Sequence, residues 1–188
     1  MKYSSIAISG PPGAGRSTLL RNLKPIVEAW GWQMFSGGEW ARQYAIQNGK
    51  HNPFDPKHHL ATDYNDEIDN QIDTMMRKKL TDPNTHYVVE SWIAGWNMRG
   101  LSHVLKVLLQ CDNSLRIDRL VNRDSLTVDQ AKQHIIERQE KNFAKWKRMY
   151  DVDDFWNPKY YDLVIDTYSN GPHETLNIVL KTLGVNSV

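Results

Sequence analysis

The hydrophobic pattern divides the chain into alternating strands and helices. Apolar runs rich in Val, Ile, Leu and aromatic residues predict five buried strands, at 3–9, 33–35, 86–90, 104–111 and 161–167. Amphipathic patterns between them predict helices at 17–30, 39–48, 63–80, 114–121, 127–150 and 172–183. Because strands alternate with helices and the strand runs are nearly continuous in apolar residues, the sequence predicts a three-layer α/β fold. Its five-stranded parallel sheet has helices on both faces.

Three local signals add detail to this pattern. Pro25 removes one backbone hydrogen bond inside the first helix, so we expect a kink or a break near Lys24. Gly31 follows the last apolar position of that helix and predicts its C-terminal end. Residues 49–57 contain glycine, asparagine and two prolines, and they predict a loop before the third helix.

Length, composition and charge narrow the class of protein. The 188 residues are 40% hydrophobic and 24% charged, which is typical of a single globular domain spanning 1–188. Cys111 is the only cysteine, which excludes an intramolecular disulfide. A formal charge of +1 gives no field that favours nucleic acid, and no apolar run is long enough to span a membrane. We therefore expect a soluble, cytoplasmic monomer that binds neither nucleic acid nor membrane.

A glycine-rich loop after the first strand carries the strongest chemical signal. Residues 10–17 (GPPGAGRS) match the phosphate-loop pattern G-x-x-x-x-G-K-[ST] except at Arg16, which replaces lysine. Glycines let backbone N–H groups turn toward phosphates, the following helix adds its positive N-terminus, and the Ser17 hydroxyl can bind a metal ion. The predicted nucleotide-binding residues are Gly10, Pro11, Pro12, Gly13, Ala14, Gly15, Arg16, Ser17 and Thr18.

Arg16 leaves the chemistry of this loop open. A guanidinium keeps the positive charge of lysine but is planar and forked, so it need not reach between two phosphates as an ammonium does. The alternative to phosphate binding is a glycine turn that carries a solvated arginine.

Further motifs follow in a recognisable order. Residues 36–39 (SGGE) precede Arg42, residues 90–96 read ESWIAGW, and residues 123–124 and 137–140 read RD and ERQE. Together with the loop, they resemble the archaeal-type cytidylate kinase-like proteins, which are P-loop nucleoside monophosphate kinases. The resemblance implies ATP-dependent phosphoryl transfer to CMP or dCMP, giving the diphosphate, with Mg²⁺. It also implies a mobile monophosphate-binding segment at about 36–80 and a helical lid at about 119–150.

The resemblance also assigns candidate substrate-binding residues. Arg42 is the candidate clamp on the acceptor monophosphate, because its forked donors match phosphate oxygens. Asp69 and Asp73 share one helix face and could bind the acceptor base or ribose, or they could form a solvated acidic face. Glu90 could order the acceptor or waters around Mg²⁺, or it could be a structural carboxylate. The full set is Ser36, Gly37, Arg42, Asp69, Asp73, Glu90 and Trp92.

Positive charge in the predicted lid supplies the candidate catalytic residues. Between residues 119 and 150 there are eight basic and four acidic residues. Phosphoryl transfer needs positive charge on the migrating group and exclusion of water, so Arg16, Arg123 and Arg138 are the predicted catalytic residues. A solvated amphipathic helix with ion pairs along its surface is the alternative interpretation of this segment.

Trp92 departs from the resembling family, which has at this position an arginine that grips the acceptor phosphate. An indole cannot bind a dianion, although it can stack on a base. Arg99 is the nearest residue that could replace the missing arginine. Two alternatives therefore stay open: a nucleotide-binding P-loop protein with weak or lost kinase activity, and a kinase for a different small acceptor.

Overall fold

A parallel five-stranded sheet forms the centre of the computed structural model, which describes residues 2–52, 54 and 60–185. The strands are β1 (Ser5–Ser9), β2 (Gln33–Ser36), β3 (Tyr87–Glu90), β4 (Val104–Gln110) and β5 (Leu163–Asp166). Their order across the sheet is β2-β3-β1-β4-β5, and every neighbouring pair is parallel. The chain therefore leaves β1, in the middle of the sheet, at a point where ligands bind in open α/β folds.

Helices cover both faces of the sheet. They are α1 (Arg16–Ala29), α2 (Gly37–Gln47), α3 (Asp66–Thr81), α4 (Ala94–Asn97), α5 (Asn113–Asp124), α6 (Val128–Tyr150) and α7 (Pro172–Leu183). Ile6 and Ile8 of β1 pack with α1 and α7 on one face, whereas Ala7 packs with α2, α3 and α4 on the other. This alternation along a buried strand produces the predicted three layers.

The first helix runs without a break through Pro25, so of the kink or break expected near Lys24 the break is wrong and the kink stays a prediction. Leu23 and Val27, on either side of the proline, are fully buried, and their packing holds the two halves of the helix together despite the missing hydrogen bond. Gly31 ends the helix as predicted. Its φ of +77° is left-handed, and the N–H of Trp32 reaches back to the carbonyl of Val27 at 2.9 Å.

The structure differs from the prediction at the start of one helix and by one additional short helix. The helix expected from residue 63 begins at Asp66, because Asn65 caps it by accepting a hydrogen bond from the N–H of Ile68 at 3.3 Å. Residues Ala61–Asp63 instead form a separate 3₁₀ turn. The short helix α4 has no counterpart among the predicted helices. Residues 53 and 55–57 of the predicted loop lie outside the described residues.

Within the part of the chain that the structure describes, no helix combines the length and the apolar character that crossing a membrane requires.

Candidate functional site

The loop between β1 and α1 adopts a conformation that requires glycine. A Cβ atom at Gly10 would lie 2.4 Å from the carbonyl oxygen of Leu109, which is closer than real contacts allow. Gly13 and Gly15 have φ values of +78° and +91°, in the left-handed region that glycine favours. Gly15 directly precedes the first turn of α1. The glycines predicted from the motif therefore shape a loop that curls over a helix N-terminus.

Three carbonyl groups of this loop accept hydrogen bonds from side chains elsewhere in the fold, whereas three of its N–H groups have no partner among the described residues. The N–H groups of Gly15, Arg16 and Ser17 donate no hydrogen bond to any other described residue. Free N–H groups at a helix N-terminus provide an anion-binding site. The bonds to the carbonyls join Arg116 Nε and Pro12 at 2.8 Å, Arg119 Nη1 and Gly13 at 2.9 Å, and Thr167 Oγ1 and Ala14 at 3.1 Å.

The loop lies in the middle of a cavity of about 660 Å³. At one end the cavity reaches Asn170 and Pro172, at the start of α7, and at the other end it reaches α2 and α3. A volume of this size suits small-molecule ligands. Most predicted site residues contribute to the wall: Pro11, Pro12, Gly13, Gly15, Arg16, Ser17, Thr18, Gly37, Arg42, Asp69, Asp73, Glu90, Trp92, Arg123 and Arg138. Gly10, Ala14 and Ser36 do not.

Arg16 and Ser36 meet at Glu90, at the carboxyl end of β3. Nη1 of Arg16 forms an ion pair with Oε1 of Glu90, and the Ser36 hydroxyl donates to Oε2 at 2.8 Å. Burial lowers the pKa of Arg16, and the nearby Glu90 carboxylate opposes this effect. The arginine that replaces the motif lysine is thus held beside β3 by a buried carboxylate.

Trp92 lies just beyond Glu90 and is 6% exposed. The Cζ atom of Arg138 is 5.1 Å from the centre of its ring, and that of Arg16 is 5.9 Å away. Trp156 stacks on the indole at a centroid distance of 5.9 Å. Trp92 therefore contacts two guanidinium groups and an aromatic cluster, an arrangement that favours cation–π attraction.

Arg138 is a buried cation that has no polar partner among the described residues. It is 7% exposed, and it forms no hydrogen bond or ion pair with the other described residues; its Nε is fully buried. Burial lowers its pKa to about 9, and the neighbouring charges of Arg16 and Arg123 act in the same direction. Because an unpaired buried charge is costly, this arrangement favours an anionic ligand.

Arg42 is a second cation of this kind. It is partly buried on α2 and lines the cavity, and no hydrogen bond or ion pair links it to another residue in the described ranges. Arg123 differs, since both its Nε and Nη2 donate to Asp124 at 2.6 Å. Among the buried or partly buried arginines of the wall, Arg42 and Arg138 therefore retain their hydrogen-bonding capacity for a ligand, since neither has a polar partner among the described residues.

The two predicted aspartates of α3 are bound to α6. Asp69 pairs with Lys145 at 2.5 Å and accepts a hydrogen bond from Trp146 at 2.9 Å, and the Tyr150 hydroxyl donates to Asp73 at 2.6 Å. Burial raises the pKa of Asp69, and it raises the pKa of Asp73 to about 7. The alternative of a solvated acidic face is therefore wrong. The proposed contact with an acceptor base or ribose stays a prediction.

The basic residues of the predicted lid serve different purposes. Arg119 is bound to the phosphate loop, Lys145 and Arg148 are bound to α3 or the turn before it, and Lys141 pairs with Glu137 along the helix surface. The alternative of a solvated amphipathic helix therefore describes only part of α6. Its opposite face is buried through Ala131, His134, Ile135, Arg138, Asn142, Lys145 and Trp146.

Arg99 does not reach the cavity. Its Cζ lies 4.0 Å from the ring centre of Trp96, and its Nη1 donates to the Trp96 carbonyl at 3.2 Å. The expectation that Arg99 replaces an arginine at position 92 is thus wrong, because stacking on Trp96 holds its side chain outside the cavity wall.

Sequence reasoning missed the supporting role of Arg116, Arg119 and Thr167. A signal was present, since Arg116, Arg119 and Arg123 are spaced to share one face of α5. That pattern shows a basic helix face but does not say that its donors bind loop carbonyls rather than phosphates.

Comparison with known proteins adds evidence that is independent of this geometry. The sequence profile of the cytidylate kinase-like family matches residues 33–169. A cytidylate kinase of Haloarcula marismortui is 31% identical over 178 residues, which are 95% of this chain and 88% of that protein. A cytidylate kinase of Archaeoglobus fulgidus is 29% identical over 184 residues, which are 97% of this chain and 96% of that protein. The similarity to these two cytidylate kinases extends over nearly the whole chain.

Among solved structures, a gluconokinase from Sinorhizobium meliloti superimposes with a TM-score of 0.59 at 15% identity. The superposition covers 97% of this chain and 93% of the gluconokinase. At this level of identity the likeness concerns the fold alone, and it supports the predicted three-layer α/β architecture of a P-loop kinase.

Proposed function

The chain belongs to the cytidylate kinase-like family, and from this premise we propose that it is an ATP-dependent nucleoside monophosphate kinase that phosphorylates CMP or dCMP. One observation carries the proposal beyond family membership. The phosphate loop shares a single cavity with Arg42 and Arg138, two cations without protein partners among the described residues. Phosphoryl transfer requires such an arrangement, because two phosphorylated molecules must lie end to end.

The donor nucleotide fits the loop end of the cavity. Free N–H groups at Gly15, Arg16 and Ser17 would bind the phosphates of ATP, and the cavity continues toward Asn170 and Pro172, where its base would lie. Mg²⁺ would be held by the Ser17 hydroxyl and nucleotide oxygens, and it would neutralise charge on the phosphates. The bound carbonyls support this fit, because they fix the loop with its N–H groups free.

The acceptor fits the other end of the cavity. Arg42 would bind its monophosphate with two parallel hydrogen bonds, which a guanidinium without a partner among the described residues can supply. Beyond it, Asp69 and Asp73 form part of the wall, where they would face the base or ribose. A Cβ atom at Gly37 would lie 2.9 Å from Cγ2 of Ile72, so no side chain fits there unless Ile72 shifts.

Three arginines would act on the migrating phosphoryl group. Arg16 and Arg138 lie against the same indole, and Arg123 is close enough to lower the pKa of both. Their positive charge would stabilise the negative charge that develops on the equatorial oxygens. An unprotonated oxygen of the acceptor phosphate forms the new bond to the γ-phosphorus while the bond from that phosphorus to the β,γ-bridging oxygen breaks, and ADP leaves with the electron pair. The chain's contribution is therefore positioning, charge and exclusion of water.

One observation favours a second function, nucleotide binding with weak or lost transfer. Arg16 stands at the motif lysine position but forms an ion pair with the buried carboxylate of Glu90. If this pair persists when ATP binds, Arg16 contributes less charge to the phosphates than a free lysine would. The two functions differ in turnover and not in ATP affinity.

A coupled ADP-release assay with Mg-ATP and a panel of ribo- and deoxynucleoside monophosphates tests the proposal. We expect turnover to be highest with CMP or dCMP. A Ser17→Ala variant should lose most of this turnover, because it lacks the metal-binding hydroxyl. ATP binding measured by calorimetry, without product from any acceptor, would overturn the kinase proposal in favour of the second function. Turnover only with a phosphate-free acceptor would show a different kinase.

A further inference from the structure

We propose that Trp92 is a positioning residue for Arg138, whose guanidinium it holds against its indole face at the point where the donor and acceptor ends of the cavity meet. The inference rests on the proposed phosphoryl transfer and assigns Trp92 a role other than stacking on a nucleotide base. Trp92 would act on the reaction only through the arginine.

No polar group of the described residues fixes Arg138. No hydrogen bond or ion pair joins it to another residue of the described ranges, yet it is 7% exposed and lines the cavity. Its guanidinium carbon lies 5.1 Å from the ring centre of Trp92. A flexible side chain without polar partners needs some other contact to hold its orientation, and the indole face provides one.

Trp92 is itself held in place by its neighbours. Trp156 stacks on its ring, and Nε1 of Trp156 donates to the Trp92 carbonyl at 2.8 Å. Trp146 and Phe143 pack edge-on, with ring centres at 5.7 and 6.3 Å. The N–H of Gly10 also donates to the Trp92 carbonyl, at 3.3 Å. The indole is therefore fixed relative to the phosphate loop, and so is any group that rests on it.

Arg138 also differs from Arg16 and Arg123 in its charge pairing. Glu90 is paired with Arg16 and Asp124 with Arg123, which leaves Arg138 as the cation of this group without a carboxylate among the described residues. The electron-rich indole face offsets part of the cost of burying that charge without neutralising it. Arg138 therefore keeps its full charge and its N–H donors for an anionic ligand. A carboxylate at position 92 would neutralise the Arg138 guanidinium. An aliphatic side chain there would not hold the guanidinium in one orientation.

A double-mutant cycle tests this role. We expect Trp92→Phe, which keeps a smaller and weaker aromatic face, to lower kcat/KM for the acceptor about fivefold and ATP affinity by a smaller factor. Arg138→Met removes the charge and keeps an unbranched apolar side chain in place of the arginine stem. In that background Trp92→Phe should change kcat/KM less than about twofold, because the group on which it acts is absent.

Trp96→Phe is the matched control. Trp96 belongs to the same buried aromatic cluster and is 3% exposed, but it does not line the cavity. It should lower the melting temperature about as much as Trp92→Phe does while leaving kcat/KM within about twofold. An equal loss of kcat/KM in both variants would reduce Trp92 to a structural residue and overturn the inference.

Failure of the positioning role can be distinguished from failure of the proposed kinase function. A loss for Trp92→Phe that is equally large with and without Arg138 would overturn the positioning role even if the wild type is an active kinase. If the wild type turns over no monophosphate, the four proteins of the cycle are compared by calorimetry for their affinity for inorganic tripolyphosphate. These are the wild type, Trp92→Phe, Arg138→Met and the double variant. Trp92→Phe should then weaken binding only where Arg138 is present, and additive effects would overturn the inference.

Discussion

Two groups of arginines surround the same cavity, and they differ in what their donors bind. Arg116 and Arg119 on α5 donate to the carbonyls of Pro12 and Gly13. Arg42 and Arg138 donate to no other described residue. We call the first group the anchored arginines and the second the open arginines. All four line or border one site, so location alone does not separate structural cations from ligand-binding ones. What separates them is whether their N–H donors already bind a described protein acceptor.

The two groups should also differ in whether their removal lowers the stability of the fold or its binding and catalysis. Removing an anchored arginine leaves a buried carbonyl without its donor and should cost stability. Removing an open arginine takes away an uncompensated charge, so stability should not fall, whereas binding or catalysis should. Substitutions at both kinds of position therefore separate the two groups.

The largest effect should come from Arg138→Met. It removes the open arginine with the least exposure, and we expect kcat to fall about 100-fold, as for the loss of one strong donor to a transition state. The melting temperature should stay the same or rise, because a buried unpaired cation is gone. Steady-state kinetics and calorimetry measure both. A clear fall in melting temperature would place Arg138 among the anchored arginines.

Arg42→Ala tests the second open arginine. Loss of a bidentate, charged contact with the acceptor phosphate should raise the acceptor KM about 30-fold, equivalent to roughly 2 kcal/mol, without a change in ATP affinity. Gln43→Ala, the exposed neighbour on α2, serves as the control and should leave KM unchanged. If the KM for ATP rises instead, Arg42 acts on the donor.

Arg116→Met should show the opposite behaviour. Without its Nε donor the buried carbonyl of Pro12 is unsatisfied, and we expect unfolding to become easier by about 2 kcal/mol in urea titrations. ATP affinity should fall as well, since the loop is less well fixed. Unchanged stability combined with a large kinetic defect would show that Arg116 belongs with the open arginines.

The smallest effect should be the pH dependence that Asp73 contributes. Its pKa rises from an ordinary 3.8 to about 7, so between these values the folded protein binds a proton that the unfolded chain does not. Stability should therefore fall as pH rises through this window, by about 1 kcal/mol given the solvent access of the cavity. Asp73→Asn should lack this slope and be the more stable protein at pH 8.

Urea titrations at pH 5 and pH 8 measure this difference. Glu140→Gln, which changes an exposed carboxylate on α6, is the control and should keep the wild-type slope. A wild-type slope in Asp73→Asn would assign the pH dependence to another group.

The sheet and the phosphate loop were predictable because their signals are local. Buried parallel strands carry uninterrupted apolar runs, and Gly10, Gly13 and Gly15 lie at spacings that the loop conformation requires. The uninterrupted α1 was not predictable in this way. The effect of Pro25 on the helix depended on the burial of Leu23 and Val27, which is a property of the tertiary structure.

Most residues of the site could be predicted from the sequence, but the contacts and hydrogen bonds between them could not. Trp92 and Arg138 come from distant parts of the chain, and their contact depends on how α6 packs across the cavity. The sequence shows that Arg16 replaces lysine, yet its pairing with Glu90 depends on the register of β3 beside β1. Likewise, the anchored and open arginines look alike in sequence, because their difference lies in partners that only folding provides.

The bonds between α6 and α3 have a consequence for how the protein opens. The resemblance implies two mobile parts, at about 36–80 and 119–150, yet Lys145 and Trp146 bind Asp69, and Asn142 accepts a hydrogen bond from Ala61 at 2.8 Å. Rotation of α6 about the left-handed residue Ser125, which ends α5, would therefore carry α3 with it. We expect one hinge motion in place of two independent closures, so that entry of either nucleotide reshapes the space left for the other.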